Sequence, residues 1–357
     1  MLKILLLIDC LGSGGAQRQM VGLAKLLQDR GYQINVIYYH PIYFYRSFLE
    51  EHHIPNEYVA GSENKIKRIF LITRAIRKFR PKVVISYLDS PNIIACLIKA
   101  LGIKFRLIVS ERNTSQGLSC SEKTKFLLFR YADSIVTNSY TQERFINNNF
   151  PNLGYKTKVI TNFVDTDFFF PLNKEKREII RILVVGRVSR QKNTLAFLQV
   201  IHILKREGFA FSVDWYGRVD DNTFTQCKAY IDSHQLDDVF TFHEPKNDIV
   251  NEYQQSDIFC LPSLYEGFPN VICEAMGCGL PILCSHVCDN PLLVEDGENG
   301  FLFDPNNIED MADKMRIMLT LSHNQLKEMG TNSRLLAIER FSAQTFIKKY
   351  VDLIECK

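Results

Sequence analysis

The 357-residue chain predicts an α/β protein made of two successive Rossmann-like domains, and three observations carry that prediction. Short aliphatic or β-branched runs alternate with helical stretches, the pattern of parallel sheets covered by helices. The alternation breaks once, between Val164 and Glu178, and then starts again. The length allows two separate cores, and 46% apolar with 23% charged residues is ordinary globular composition.

In the first half, Lys3–Ile8, Gln33–Tyr39, Val83–Ser86, Leu107–Ser110, Ser134–Asn138 and Lys158–Ile160 read as strands. Helices fill the gaps, most clearly at Gln17–Arg30 and Ile66–Arg80. The aromatics, Pro171 and charged run of Val164–Glu178 read as an interdomain linker. The second alternation begins at the very apolar Ile179–Val185 and continues through Phe211–Tyr216, Phe240–Phe242, Ile258–Leu261 and Pro281–Cys284. The expected domains are residues 1–163, joined by a helical tail over 341–357, and residues 179–340, with 164–178 between them. Two such domains in succession are expected to face each other across a cleft at the carboxyl ends of their sheets.

Several function classes are disfavoured. No run of about 18 apolar residues is present to span a membrane. The Leu5–Leu7 stretch is too short for a signal peptide, and Asp9 with a glycine turn stands where a cleavage site would be, so a cytoplasmic protein is expected. The ten cysteines lack small-scaffold spacing. Cys96, Cys260 and Cys273 read as small buried hydrophobes, and Cys284, His286 and Cys288 as the end of a core strand rather than zinc ligands. A net charge of +3 does not imply nucleic acid.

The charge is nonetheless uneven. Lys65 to Lys82 holds eight Lys or Arg and no acid, with Ile66, Ile69, Phe70, Ile76 and Phe79 at helical spacing. This basic amphipathic helix, ended by Pro81, is either the solvated face of a Rossmann helix or a contact for anionic lipid. The basic-aromatic stretch Lys123–Arg130 adds to the second reading.

Three segments carry chemistry. The first strand runs into Gly12-Ser13-Gly14-Gly15-Ala16-Gln17-Arg18, where glycines allow backbone N–H groups close to a phosphate or sugar at a helix start. A dinucleotide site is disfavoured, because Gln17 occupies the third glycine position and the second strand ends Tyr38-Tyr39-His40 without an acid. Taken alone, the loop is a weak signal, and a plain tight turn is the alternative.

The strand opening the second domain runs into Gly186-Arg187-Val188-Ser189-Arg190-Gln191-Lys192-Asn193. Arg187 and Lys192 at one strand end suit a diphosphate leaving group, whereas Arg190 reads as an ordinary surface cation. The strand ending at Leu261 leads to Glu266-Gly267-Phe268-Pro269-Asn270-Val271-Ile272-Cys273-Glu274. A helix starting near Pro269 offers backbone N–H groups to phosphate, and Glu274 lies about 7 Å along its axis, near a ribose. Glu266 can reach the sugar beyond the diphosphate; a salt bridge is the alternative role for either acid.

The two Glu separated by seven residues, the Gly-Arg…Lys-Asn loop and the Gly-Gly-Ala-Gln-Arg turn resemble glycosyltransferase family 4. Asn162…Asp165…Pro171 and Glu295-Asp296-Gly297-Glu298-Asn299-Gly300-Phe301 extend the resemblance over essentially the whole chain. It implies the GT-B fold, with an acceptor-side N-terminal domain, a donor-binding C-terminal domain and the last helix returning to the first domain. It implies that Arg187 and Lys192 neutralise the departing nucleoside diphosphate, that Glu274 binds ribose hydroxyls and that Glu266 contacts the donor sugar. Gly14, Gly15, Gly186, Gly267, Phe268, Asn270, Val271 and Ile272 complete the implied donor set, and Arg18, Arg112 and Asn113 the acceptor set. Many members carry a His after the fourth strand, where this chain reads Ser110-Glu111-Arg112-Asn113. Glu111 is therefore a catalytic candidate that binds acceptor or donor hydroxyls, or else pairs with Arg112.

Asp165-Thr166-Asp167 has the spacing of a metal motif but lies in the expected linker, so neither metal nor other cofactor is expected. The implied activity is retaining transfer from a nucleotide sugar, with UDP favoured and a hexose or N-acetylhexosamine transferred. The implied acceptor is a saccharide or lipid-linked saccharide in surface-polysaccharide synthesis, at the inner face of the membrane if the basic helix meets lipid. A nucleotide-sugar epimerase and an inactive nucleotide-sugar-binding partner are the alternatives.

Overall fold

A computed structural model describes residues 1–61, 64–115, 117–173, 178–246 and 248–355. The chain divides into two compact units, Met1–Asn162 with Gln344–Lys357, and Phe163–Ala343. In the first unit the strands are β1 (Lys3–Leu7), β2 (Gln33–Tyr38), β3 (Asn56–Tyr58), β4 (Val83–Tyr87), β5 (Arg106–Glu111), β6 (Ser134–Thr137) and β7 (Thr157–Val159). They pair in parallel in the order β3-β2-β1-β4-β5-β6-β7. Leu5 and Leu7 of β1, Val84 of β4 and Leu107 and Val109 of β5 pack with Ile72 and Ile76 of the helix Lys65–Phe79 in one core.

The second unit holds β8 (Ile180–Val185), β9 (Phe211–Tyr216), β10 (Phe240–His243), β11 (Ile258–Leu261), β12 (Ile282–Ser285) and β13 (Gly300–Phe303). Their parallel order is β10-β9-β8-β11-β12-β13. Separate clusters built on Trp215, Phe197 and Met315, and on Phe259, Ile272 and Met276, bury the two faces of this sheet. Near-continuous apolar runs such as Ile182–Val184 are what a strand covered on both faces requires.

In each sheet the strand order reverses once, between β1 and β4 in the first unit and between β8 and β11 in the second. Chains in such sheets part at the reversal and leave a crevice at the carboxyl ends, where ligands settle. The Gly12–Gly15 turn follows β1, the Arg187–Lys192 loop follows β8, and the Glu266 loop follows β11. Topology therefore places these segments beside the reversal of their own sheet.

Two strands had no counterpart in the sequence-based expectation. β3 is three residues of a polar edge, and β13 begins at Gly300, whose backbone runs so close to β12 that a Cβ there would lie 1.8 Å from the Ile282 carbonyl oxygen. The stretch expected as a linker starts inside the second unit: Val164 bridges Ser342, and Val164 and Phe169 lie in that unit's core. Arg334 fastens it by donating to the Phe169 carbonyl at 2.7 Å and the Thr166 carbonyl at 3.0 Å. Residues 174–177 of the expected linker lie outside the described residues.

The helix Lys65–Phe79 is capped by Asn64, which accepts from Ile66 N at 2.9 Å and Lys67 N at 3.2 Å, and it ends at Arg80, in the left-handed region before Pro81. Its apolar residues do not share one face. Ile72 and Ile76 are buried, whereas Ile66 and Phe70 are 81% and 66% exposed. At ~100° per residue, Ile66 and Phe70 point with Arg74 and Arg77, away from the core stripe. The exposed face is thus both basic and apolar. Among the described residues no helix is long and apolar enough to cross a membrane.

Candidate active site

In the second unit the β8 end is fixed by backbone packing. The Gly186 carbonyl accepts from the Trp215 indole at 2.8 Å, and a Cβ on Gly217 would lie 2.0 Å from that same oxygen. Only glycine lets β8 and β9 approach so closely as they exit the sheet. From there Arg187 emerges exposed, with no hydrogen bond or ion pair among the described residues. It lines an open depression of about 570 Å³ with Arg218, Val219, Asp220 and Asn222. Arg218 and Asn222 were not singled out from the sequence, although Arg218 follows Gly217 at a strand's carboxyl end.

Lys192 closes a short 3-10 turn, and its stem lies across Gly186, 3.1 Å from where a Cβ would stand. Its ammonium pairs directly with Glu266, and both side chains are largely buried. The two loops are also sewn together by Leu264 N donating to the Gln191 carbonyl at 2.8 Å and by Gln191 Nε2 donating to the Tyr265 carbonyl at 3.1 Å. Asn193 then enters the next helix at φ 55°, a conformation that asparagine tolerates well, and donates to the Pro305 carbonyl at 2.7 Å. The β8 and β11 loops thus form one bonded unit, with Lys192 and Glu266 at its centre.

The helix Asn270–Gly277 starts after Pro269 at the cap position, with no side chain capping its first turn. Gly267 and Asn270 are half-buried. Phe268 and Ile272 turn into the core, and Asn270 and Val271 between them stay half-buried. Glu274 is 3% exposed, and its Oε2 accepts from the Tyr253 hydroxyl at 3.1 Å. Tyr253 was missed in the sequence because it lies on a separate short helix, Val250–Gln255.

In the first unit Gly14 caps the helix Gly15–Asp29, and the Gln17 side chain folds over the turn to reach Asp9 Oδ1 at 3.3 Å. Arg18 is half-buried on that helix. Glu111 does not pair with Arg112: it is fully buried at the end of β5, with the Lys125 ammonium 2.9 Å away. Lys125 is 3% exposed, so the stretch Lys123–Arg130 is not a uniformly basic surface. Burial and the neighbouring Asp89 push the Glu111 carboxyl up to about 7, against the pull of Lys125.

Arg112, expected toward the acceptor, is turned inward. It donates to Asn162 Oδ1 at 2.8 Å and to the Tyr87 and Tyr350 hydroxyls at 2.7 Å each. A guanidinium engaged through both terminal nitrogens in this way clamps β4, β5 and the helix Ala343–Glu355 together. Asn113 is exposed and points Nδ2 toward Asp89 Oδ2 at 3.4 Å. Asp165 accepts from the Asp167 and Phe168 backbone at 3.1 and 3.2 Å, a local turn. Among the described residues no group of three or more His, Cys, Asp or Glu is arranged to hold a metal.

Comparison with known proteins agrees with this architecture. Residues 13–168 match the model of Glycosyltransferase Family 4, and residues 164–336 match that of Glycosyl transferases group 1. An uncharacterized glycosyltransferase of Haemophilus influenzae is 27% identical over 99% of this chain and 100% of its own. A Campylobacter jejuni GalNAc-alpha-(1->4)-GalNAc-alpha-(1->3)-diNAcBac-PP-undecaprenol alpha-1,4-N-acetyl-D-galactosaminyltransferase is 25% identical over 94% of this chain and 93% of its own. Among solved structures, Anabaena Alr3699/HepE in complex with UDP superposes with a TM-score of 0.85 at 18% identity, covering 100% of both chains. A glycosyltransferase from Rickettsia africae gives 0.86 at 19% identity, over 99% of this chain and 97% of that one.

The fold and the paired family models define a glycosyltransferase of GT-B architecture. The chain belongs to the family 4 glycosyltransferases, of the bacterial surface-polysaccharide type.

Proposed function

We propose that this glycosyltransferase moves a sugar, with retention, from a UDP-linked donor to a lipid-linked saccharide in surface-polysaccharide synthesis. The observation that carries the reading is the bonded pair of loops at the β8/β11 reversal, where Lys192 pairs with Glu266 and Arg187 stands exposed on the same β8 loop. The relatives from Campylobacter act on polyprenyl-linked saccharides by name, and the Anabaena protein was solved with UDP. Those names support the donor and acceptor proposed for this chain.

In this reading Phe163–Ala343 form the donor-binding domain, and Met1–Asn162 with the returning tail Gln344–Lys357 the acceptor-side domain. Arg187, exposed on the β8 loop, receives the diphosphate, and Lys192 reaches it while Glu266 holds its ammonium in place. Glu266 also contacts the donor sugar, and Glu274, steadied by Tyr253, accepts from the ribose hydroxyls. Backbone groups of Gly186, Gly267 and Phe268–Ile272 meet phosphate, and the backbone of Gly14 and Gly15 serves the donor as well. Glu111, Arg18 and Asn113 serve sugar hydroxyls. The two cations supply the charge neutralisation that a divalent ion gives other glycosyltransferases, so no metal is required. The leaving phosphate takes the acceptor proton. The exposed face of Ile66, Phe70, Arg74 and Arg77 rests on anionic lipid at the cytoplasmic leaflet.

Thermal unfolding with a panel of nucleotide sugars tests the reading. A true donor at about a hundred times its Kd adds ~2.7 kcal/mol of stability. Equal melting temperatures with every UDP- and GDP-sugar would remove the donor site. Conversion of the donor without any acceptor would favour an epimerase instead.

A further inference from the structure

The β4 end of the first unit carries a feature that the donor site does not use. Leu88, which follows β4, holds φ 76° and ψ 163°, a region almost reserved for glycine. The next residue, Asp89, opens the helix Asp89–Ala100 beside the β1/β4 reversal and is 44% exposed. Its Oδ1 lies 3.0 Å from the Lys125 ammonium, which also meets Glu111 at 2.9 Å and Glu122 at 3.1 Å. One buried ammonium, with three donors, thus serves three carboxylates, and the cluster keeps excess negative charge.

A second observation concerns the buried polar atoms at and around Glu111. Among the described residues ten buried side-chain atoms lack a hydrogen bond, and six of them belong to Ser110, Glu111, Arg112, Thr137 and Asn138. Thr137 is the parallel register partner of Glu111, so the two share a face, and its hydroxyl is fully buried. Both Glu111 oxygens lack a well-directed hydrogen bond even though Lys125 is close. Buried polar atoms left open are costly and are normally met by a ligand or water. Their concentration at adjacent strand ends marks a seat built to receive hydroxyls. An anionic seat repels phosphate and accepts hydrogen bonds from a neutral polyol.

We propose that Asp89, Glu111 and Lys125 form a sugar-hydroxyl subsite, in which Asp89 accepts from the hydroxyls and Lys125 is the positioning residue that orients both carboxylates. The subsite rests on the glycosyltransferase reading and adds to it two residues, Asp89 and Lys125. Glu111 faces Lys125 and Glu122 from the helix Cys120–Leu128 and Asp89 from the helix Asp89–Ala100, and Arg112 follows it in the chain. Removing the ammonium raises the pH at which Glu111 ionises; replacing it with a guanidinium does not.

The test uses the full chain, the best nucleotide sugar of the panel and a synthetic polyprenyl-diphosphate disaccharide. Asp89→Asn is expected to raise one KM about tenfold while UDP affinity stays unchanged. A raised acceptor KM places acceptor hydroxyls in the seat, and a raised donor KM places those of the donor sugar. Lys125→Met shifts the acid limb of the rate profile toward higher pH, and Lys125→Arg returns it. Should Lys125→Met not fold, the Glu111→Gln/Lys125→Met double variant removes both charges and abolishes that limb. Wild-type KM values in Asp89→Asn, or an acid limb unmoved in every folded variant that carries Lys125→Met, would overturn the subsite alone. A wild-type chain that binds no UDP and transfers no sugar would overturn the parent reading and the subsite with it.

Discussion

The two units share a parallel architecture but present a different charge balance at the same topological place. Beside the β1/β4 reversal, carboxylates surround one buried lysine; beside the β8/β11 reversal, Arg187 is exposed and Lys192 is held by Glu266. The sheet decides where loops gather, because strands part only where their order reverses. The residue types in those loops decide what gathers there. An exposed guanidinium suits a diphosphate and an excess of carboxylates suits hydroxyls, so one architecture used twice can serve different ligand chemistry.

That contrast can be broken from the cationic side first. Lys192→Ala is expected to lower transfer about a hundredfold, ~2.7 kcal/mol of transition-state stabilisation, and Glu274→Ala at least ~tenfold. Steady-state kinetics on variants with native circular dichroism checks both, and a wild-type rate from either removes that residue from the site. The backbone beneath the cations comes next. Gly217→Ala drives a Cβ to 2.0 Å from the Gly186 carbonyl oxygen, so β8 and β9 must separate. A loss on the order of 1–3 kcal/mol is expected by calorimetry, and an unchanged melting temperature would show that the close approach carries no weight. The smallest expected effect is none at all. Excess EDTA leaves turnover intact if Arg187 and Lys192 do the neutralising, whereas activity lost to EDTA and restored by manganese would assign that task to a metal.

Much of the architecture was legible because period and composition are local properties. Ile182–Val184 had to be buried on both faces, and the Gly-Arg…Lys-Asn and Glu-Gly-Phe-Pro segments each announced a strand end. The short strands escaped notice for the opposite reason: Asn56–Tyr58 is polar, and β13 depends on how closely Gly300 approaches a neighbour 18 positions away, Ile282. Spacing also suggested one apolar face for Ile66–Phe79, where the helix actually divides its residues between core and solvent.

The sequence by itself determined the two sheets, the segments at their carboxyl ends and the charges those segments carry, since periodicity and residue type need no partner to be read. Tertiary structure alone decided the pairings. Lys192 holds Glu266, Tyr253 steadies Glu274, Arg112 clamps Tyr87 and Tyr350, and Lys125 stands between Glu111 and Asp89. Several of these partners lie dozens to hundreds of positions apart. Only the folded sheets bring them within hydrogen-bonding distance, and a buried charge takes whichever counter-charge the packing delivers.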